Sequence, residues 1–295
     1  MEKVGVIGLG DMGSGLAKNL IENGFETFGY DLSYDRMNTF QAMGGIVAEN
    51  VKHIAQNVNT VFLMVMTGDQ ASSVIFDDGL ADHLTNGSSI ILTATIKPSE
   101  AMKIGEGLKK FDLHFIDSPV SGGFPGAQSG TLTMMASGSK NALKRNKTIM
   151  QAVSKIIHSV GTKPGDGQTV KACLQSLIGS VFSATFEAAT LAAKAGISGD
   201  VLFKVFSTSG ASSGVSNTAL QNIIDRKFEG TGSHIATMYK DLTIVLDLAQ
   251  DLGVPLHTAS TAMQLFQAGK TKYPDGDNWV VTRVLEEIVG AELYR

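Results

Sequence analysis

A glycine-rich turn near the start of the chain limits the folds that this sequence can adopt. The segment Gly8–Gly13 reads G-x-G-x-x-G, follows a short apolar run at Lys3–Ile7, and precedes a segment with helical periodicity at 14–23. In such a strand–turn–helix unit the first glycine permits the tight turn and the second lets a pyrophosphate approach the backbone. The third allows close packing of helix on strand. The turn therefore predicts a βα unit with a dinucleotide phosphate at the helix N-terminus.

Strand-like and helical segments alternate through the first 160 residues, after which the pattern becomes helical. Further strand candidates are 26–30, 46–48, 60–66, 88–92, 115–117, 131–136 and 156–160. Helix candidates in the second half are 169–195, 201–206, 219–225, 240–252, 256–267 and 280–292. The pattern predicts the α/β class: an N-terminal Rossmann domain with a doubly wound parallel sheet (1–162) and an all-α C-terminal domain (163–295), joined by a long interdomain helix.

An acidic residue follows the second predicted strand. Asp31 lies 18 residues after Gly13, where a carboxylate can accept hydrogen bonds from the adenosine ribose of a bound dinucleotide. A carboxylate there repels a 2′-phosphate, and the first arginine, Arg36, comes five residues later. The sequence therefore predicts NAD as the cofactor in preference to NADP.

Composition excludes several other classes of protein. The chain has 24 lysines and arginines against 28 aspartates and glutamates, without a long run of one sign, so we expect no nucleic-acid partner. Polar residues interrupt every apolar stretch of membrane-spanning length, and the predicted first strand leaves no room for a signal peptide. The six histidines and the single cysteine, Cys173, show no metal-ligand spacing. A cytoplasmic protein without a metal site is the simplest interpretation.

Two later segments suggest which kind of substrate would react with a bound dinucleotide. Asp117–Gly123 follows a strand and contains Ser121, Gly122 and Gly123, whose backbone N–H groups could hold a substrate carboxylate. Lys171 lies at the start of the long helical segment, where a desolvated lysine could serve as the acid/base of hydride transfer from an alcohol. Gln175, one helical turn later, could orient the substrate. A lysine at a helix start is usually only solvated, so the surrounding motifs carry this interpretation.

Four motifs in order resemble those of the β-hydroxyacid dehydrogenase family, which includes 3-hydroxyisobutyrate dehydrogenases, tartronate semialdehyde reductases and L-threonate dehydrogenases. They are the glycine turn, the D-x-P-V-S-G-G segment at 117–123, the G-x-x-x-K segment at 167–171 and the K-D-L segment at 240–242. Many members have Asn where this chain has Gln175, and Pro near Met66. These two departures are similar to the L-threonate dehydrogenase branch.

The resemblance implies NAD-dependent oxidation of a small hydroxy acid, with L-threonate and its 2-oxo acid as the preferred pair. It also implies a homodimer or homotetramer and assigns Lys240 and Thr95 to the cofactor. Alternatives are 3-hydroxyisobutyrate dehydrogenase, a tartronate or succinic semialdehyde (glyoxylate-type) reductase and, less favoured because Lys171 is present, an imine reductase or a non-catalytic NAD-binding protein. The predicted cofactor contacts are Ile7, Gly8, Leu9, Gly10, Asp11, Met12, Gly13, Asp31, Met66, Thr95 and Lys240; the predicted substrate contacts are Ser121, Gly122, Gly123 and Gln175; and the predicted catalytic residue is Lys171.

Overall fold

Six parallel strands in the order β3-β2-β1-β4-β5-β6 form the main part of one sheet. The computed structural model describes residues 2–295, and the predicted strand positions are confirmed with small shifts at the ends. The strands are β1 Lys3–Ile7, β2 Glu26–Tyr30, β3 Ile46–Val47, β4 Thr60–Leu63, β5 Ser89–Leu92 and β6 His114–Asp117. This strand order is that of a doubly wound dinucleotide-binding fold, so the predicted fold class is confirmed.

The far side of the sheet departs from a purely parallel arrangement. Here lie β7 Val120–Ser121, β8 Leu132–Ser137 and β9 Ser154–Gly161. Strand β8 runs antiparallel to β6 and β7 and parallel to β9. Strand β7 was not predicted, because a two-residue strand carries no readable periodicity, and β8 runs against the predicted parallel direction where it pairs with β6 and β7. The sheet is therefore mostly rather than wholly parallel.

Apolar residues cover both faces of this sheet, as consecutive side chains of a strand point in opposite directions. Val61 and Ile90 belong to one buried cluster, whereas Phe62 and Ile91 belong to the other. Helices cover both clusters, which explains why β4 and β5 are apolar throughout. The helices of this part are α1 Asp11–Glu22, α2 Tyr34–Ala42, α3 Val51–Asn57, α4 Gly68–Ser72, α5 Leu80–His83, α6 Pro98–Leu108, α7 Gly123–Gln128, α8 Lys140–Arg145 and α9 Lys147–Val153.

The rest of the chain is helical, as predicted. Its helices are α10 Asp166–Lys194, α11 Gly199–Thr208, α12 Gly214–Ile224, α13 Ile235–Leu252, α14 His257–Lys272 and α15 Val281–Val289. Phe182, Phe186, Phe266 and Trp279 form an aromatic cluster at the centre of this part. The K-D-L segment lies in the second turn of α13 rather than at its start, because the apolar residue Ile235 already begins the helix.

The chain divides into two compact units, the first ending at Lys171 and the second beginning at Ala172. The first unit thus includes the opening turns of α10, beyond the predicted boundary at residue 162. Hydrogen bonds from Gly165 and Gln168 to Asp117 of β6 account for this placement, since they attach those turns to the sheet.

Helix α10 has a property that the sequence analysis did not anticipate. By length and composition alone, its 29 residues could cross a membrane. The core helix of a soluble protein can have the same length and composition. Residues from α10, including Phe182 and Phe186, belong to the buried cluster of the second unit. Of its most apolar window 44% is buried, so packing in the core explains part of this composition.

Candidate active site

The carboxyl ends of the parallel strands are aligned at one edge of the sheet. In the strand register Ile7 pairs with Tyr30 and Leu63, Leu63 with Leu92, and Leu92 with Asp117. The residues that follow these strands therefore share one edge, which is where doubly wound sheets bind their ligands. We call this row of strand ends the cofactor edge.

The glycine turn has the geometry that a dinucleotide phosphate requires. Gly8 has φ of +89° and a Cβ there would lie 2.1 Å from the carbonyl oxygen of Met64, while a Cβ on Gly13 would lie 1.7 Å from the carbonyl oxygen of Gly8. A Cβ on Gly10 would instead meet nothing nearer than Arg36, at 3.7 Å. Gly10 also caps α1 without a side-chain hydrogen bond, which leaves the helix N-terminus for an anion.

Asp31 lies directly after β2, and its carboxylate is held by the backbone. Oδ2 accepts a hydrogen bond from the N–H of Leu9 at 2.7 Å, and Oδ1 accepts one from the N–H of Ser33 at 2.9 Å. The Arg36 guanidinium lies 3.4 Å from Oδ2, which the sequence analysis did not foresee. The residues present fit a dinucleotide: glycines where the backbone must be bare, and a fixed carboxylate for the ribose.

The other predicted cofactor residues divide between buried and accessible positions. Ile7 and Leu9 are core residues, so only their backbones are available to a ligand at this edge. Met66 is largely exposed beyond β4, and its N–H donates to the side chain of Gln70. Thr95 lies in the loop after β5 and is half-buried. Asp11 and Met12 lie in the first turn of α1.

The predicted carboxylate cradle follows β6. Ser121 lies in β7, and Gly122 and Gly123 are exposed and have φ of +131° and +57°. Only glycine adopts such angles readily, which explains why two glycines occur in succession. Their N–H groups stand at the start of α7, the arrangement predicted for the cradle.

Lys171 lies in the second turn of α10 and is 6% exposed. The turn before it is attached to the cofactor edge by Asp117, a carboxylate that is wholly buried. Asp117 Oδ2 accepts hydrogen bonds from the N–H groups of Gly165 at 2.9 Å and Gln168 at 3.3 Å. We call residues 165–171 the lysine turn. The predicted catalytic residue is therefore on a segment that the sheet itself holds.

The environment of Asp117 is unusual for a carboxylate. Burial raises its pKa from 3.8 to about 6, even though the hydrogen bonds from Gln168, Gly165 and Gly167 act to lower it. The hydrogen-bond donors around Asp117 are therefore those of the lysine turn, and burial outweighs them.

In the second unit, the K-D-L segment and Gln175 belong to one polar group. The Gln175 amide Nε2 donates to Asp241 Oδ2 at 2.6 Å, and both side chains are buried. Lys240 Nζ lies 3.0 Å from Asp241 Oδ1, an ion-pair contact without hydrogen-bond geometry. Gln175 is thus engaged by a carboxylate that the sequence analysis did not assign.

Asp117, Gln168, Asp241 and Arg36 are the residues of these sites to which the sequence analysis gave no role. One sequence feature could have drawn attention to Asp117: it is a charged residue at the end of an otherwise apolar predicted strand, 115–117. No sequence feature indicated a role for Gln168, because its hydrogen-bond partners are 51, 72 and 74 residues away in sequence. Among residues 2–295, no group of three or more His, Cys, Asp or Glu side chains is placed to hold a metal ion.

Comparison with known protein families covers nearly the whole chain. Residues 3–161 match the NAD-binding domain of 6-phosphogluconate dehydrogenase, and residues 165–285 match the NAD-binding domain of NADP-dependent 3-hydroxyisobutyrate dehydrogenase. The two matches meet between β9 and α10, and together they include the glycine turn, Lys171 and the K-D-L segment.

Individual relatives agree with the family matches. An L-threonate dehydrogenase of Escherichia coli K12 is 34% identical, covering 97% of this chain and 95% of its own. A probable mitochondrial 3-hydroxyisobutyrate dehydrogenase of Dictyostelium discoideum is 32% identical, covering 89% and 84%. The crystal structure of a 3-hydroxyisobutyrate dehydrogenase from Salmonella typhimurium superposes with a TM-score of 0.88 at 33% identity, covering 96% of this chain and all of that one.

Proposed function

The chain belongs to the 3-hydroxyisobutyrate dehydrogenase family of nicotinamide-dependent hydroxy-acid dehydrogenases, and from that premise we propose that it oxidises L-threonate to its 2-oxo acid, with Lys171 as the acid/base. The observation that carries the acid/base assignment is the placement of Lys171, a buried lysine on a turn attached to the cofactor edge. General acid–base catalysis needs a group held at one position relative to the reacting hydroxyl, and this attachment supplies a fixed position.

Other residues of the chain bind and orient the substrate and the cofactor. The N–H groups of residues 121–123 hold the substrate carboxylate, and Lys171 Nζ takes the hydroxyl proton, which later passes to solvent. A bound nicotinamide would supply the hydride acceptor for the carbinol carbon. Gln175, fixed by Asp241, orients the substrate, and Lys240 contacts the cofactor.

We also propose that the protein prefers NAD over NADP. The Asp31 carboxylate at the end of β2 supports it, because a negative charge opposes a 2′-phosphate. The Arg36 guanidinium, 3.4 Å from Asp31, reduces that negative charge. We therefore expect NAD to be preferred over NADP by a margin that depends on Arg36.

L-threonate is the preferred substrate because the name L-threonate dehydrogenase recurs among relatives from several bacteria, at 30–34% identity. 3-Hydroxyisobutyrate is the second candidate, favoured by the Dictyostelium relative. In that acid the reacting carbon lies one bond further from the carboxylate, so the same cradle and lysine would have to be spaced differently. Turnover of one acid but not the other therefore reports the distance between the cradle and Lys171.

A substrate panel tests the function. The purified protein is mixed with NAD and, separately, L-threonate, D-threonate, D-glycerate, 3-hydroxyisobutyrate, L-serine and tartronate, and NADH formation is followed by absorbance. We expect the highest kcat/KM with L-threonate and a product that reacts as a 2-oxo acid. Turnover of 3-hydroxyisobutyrate alone would reject the substrate, and turnover of none would reject the proposed reaction.

We also propose that the protein is a cytoplasmic homodimer or homotetramer assembled through its helical unit. Large apolar side chains on α10 and α11 are more than half exposed, which supports such an assembly; they are Leu177, Leu191, Val201 and Val205. Light scattering coupled to gel filtration measures the state directly, and a monomer would reject this proposal.

A further inference from the structure

The carboxamide of Gln168 makes three hydrogen bonds inside the first unit. Its Nε2 donates to Asp117 Oδ1 at 2.8 Å and to the carbonyl oxygen of Ala94 at 3.0 Å, and its Oε1 accepts from the N–H of Ile96 at 3.1 Å. An amide has two N–H donors and one carbonyl oxygen, so both donors and the acceptor are engaged. Gln168 is 1% exposed, and water cannot readily replace these partners.

These three bonds connect three segments that carry proposed ligand contacts. Ala94 and Ile96 flank Thr95, the predicted cofactor contact after β5. Asp117 immediately precedes the loop that leads to the carboxylate cradle. Gln168 itself lies in α10, three residues before Lys171. A single buried amide therefore joins the cofactor loop, the substrate loop and the lysine turn.

We propose that Gln168 and Asp117 are a positioning pair for the reaction, fixing the lysine turn relative to the loops that hold cofactor and substrate. This role rests on the proposed function of Lys171. The pair acts through the backbone: Asp117 Oδ2 holds the N–H groups of Gly165 and Gln168, and Gln168 holds both sides of Thr95. Catalytic geometry is sensitive to small displacements, because a misplacement of about 1 Å can cost ~10²-fold in rate.

The first test replaces the amide and separates binding from turnover. In Gln168→Ala we expect kcat at saturating substrate and NAD to fall by about 10-fold or more, since the lysine turn loses its link to the loop around Thr95 and one of its hydrogen bonds to Asp117. The Kd for NADH, measured by fluorescence, should change by less than about threefold, because the glycine turn and Asp31 are untouched.

Asn146 provides a matched control in the same unit. It is also a buried carboxamide with three hydrogen bonds, accepting from Thr60 Oγ1 at 3.0 Å and donating to Ser89 Oγ at 2.9 Å and the carbonyl oxygen of Ala142 at 2.8 Å. Thr60 and Ser89 begin β4 and β5, so Asn146 lies at the opposite edge of the sheet. Asn146→Ala should lower stability comparably and leave kcat unchanged. Equal losses of kcat in the two variants would overturn the proposal.

A reciprocal exchange tests the pair itself. Gln168→Glu places a second carboxylate beside Asp117, and Asp117→Asn presents an amide where the Gln168 N–H needs an acceptor. In the double variant the new amide at position 117 can donate to the new carboxylate at position 168, while the amide oxygen still accepts from the backbone. The Ala94 carbonyl oxygen loses its donor in both variants that carry the change at position 168, so the recovery is partial. We expect the double variant to recover at least about fivefold in kcat over the poorer single variant. Additive losses would overturn the pairing.

A readout independent of activity separates this proposal from the proposed function. Amide hydrogen exchange of peptides covering 94–98 and 165–171 should be faster in Gln168→Ala than in Asn146→Ala, because only the former loses the link between them. If Lys171→Ala retains turnover, the acid/base assignment fails, while faster exchange in these peptides still supports the fixed turn. Unchanged exchange would overturn the positioning pair even in an active dehydrogenase.

Discussion

Two aspartates at the carboxyl edge of the same sheet, Asp31 after β2 and Asp117 at the end of β6, have opposite surroundings. Asp31 retains some exposure and has the Arg36 guanidinium beside it. Asp117 has no exposed surface, and its partners are backbone N–H groups and one amide. Both lie at the end of a parallel strand, so strand position alone does not decide what a carboxylate at this edge does.

The two aspartates mark two kinds of region at this edge: one with room for a ligand and one filled by the protein's own hydrogen bonds. At the glycine turn, Gly10 leaves room for a Cβ and the helix N-terminus has no side-chain cap, as a ligand site requires. At the lysine turn, the side chains of Asp117 and Gln168 are hydrogen-bonded to each other and to the surrounding backbone. The fold thus keeps one strand end available for the cofactor and uses the other to hold the residue that would do the chemistry.

The largest expected effect concerns Lys171. In Lys171→Ala we expect kcat to fall by ~10²-fold or more, about 3 kcal/mol in activation free energy, because the proposed acid/base is removed. NADH affinity should be retained, since the cofactor edge is unchanged. Steady-state kinetics and fluorescence titration measure the two quantities. Near-normal turnover would reject the acid/base role.

Gly13 and Gly10 should respond differently to alanine. A Cβ on Gly13 would overlap the Gly8 carbonyl oxygen, so Gly13→Ala should lower the free energy of unfolding by about 3 kcal/mol. Gly10→Ala should fold normally, as the backbone there is extended and the added carbon makes only ordinary contacts. Urea denaturation of both variants measures this difference. Equal destabilisation would mean that the turn around Gly10 is not open.

The protonation of Asp117 should make stability depend on pH. The native protein keeps the Asp117 proton up to about pH 6, whereas the unfolded chain loses it near 3.8. The stability linked to that proton is present below pH 3.8 and is lost as the pH rises through 6. Relative to Asp117→Asn, the wild-type protein should therefore gain ~1 kcal/mol between pH 7 and pH 5.

Urea unfolding at the two pH values measures this gain, with Asn146→Ala as the control that has no titrating group at the altered position. The control's difference from wild type should be the same at both pH values. A wild-type advantage over Asp117→Asn that grows from pH 5 to pH 7 would contradict the assigned environment of Asp117.

Arg36 should have the smallest effect. Its side chain is 56% exposed, and such an ion pair contributes ~0–1 kcal/mol, so Arg36→Ala should leave stability nearly unchanged. Because the unneutralised Asp31 would repel a 2′-phosphate more strongly, the ratio of kcat/KM for NAD over NADP should rise by up to about fivefold. A fall in that ratio would mean that Arg36 disfavours NADP rather than accommodating it.

The first aspartate and its place beside the glycine turn were predictable from sequence because they are local, whereas its contact with Arg36 was not. Strands β1 and β2 occur at the predicted residues, and Gly8–Gly13 and Asp31 occupy one βαβ unit with a periodicity that the chain displays openly. The helical nature of the second half was equally visible, since apolar residues recur there at helical spacing.

The second aspartate was not predictable in the same way. Asp117 and Gln168 meet only after β6 and the start of α10 are brought together, 51 residues apart. Nothing in the local pattern around Gln168 indicates that its amide is buried, and its loop partners Ala94 and Ile96 contribute only backbone atoms. The antiparallel placement of β8 and the contact of Gln175 with Asp241 depend on long-range packing for the same reason.

The most direct measurement of this division is a parallel study of Gly10→Ala and Gln168→Ala, with NADH affinity and kcat at saturating NAD and substrate determined for each. Gly10→Ala should raise the NADH Kd by about 10-fold or more, with a small change in kcat, because its added carbon intrudes on the phosphate site. Gln168→Ala should show the reverse, a retained Kd and a kcat lowered by about 10-fold. Parallel losses of affinity and turnover in both variants would contradict the separation of the cofactor edge from the lysine turn.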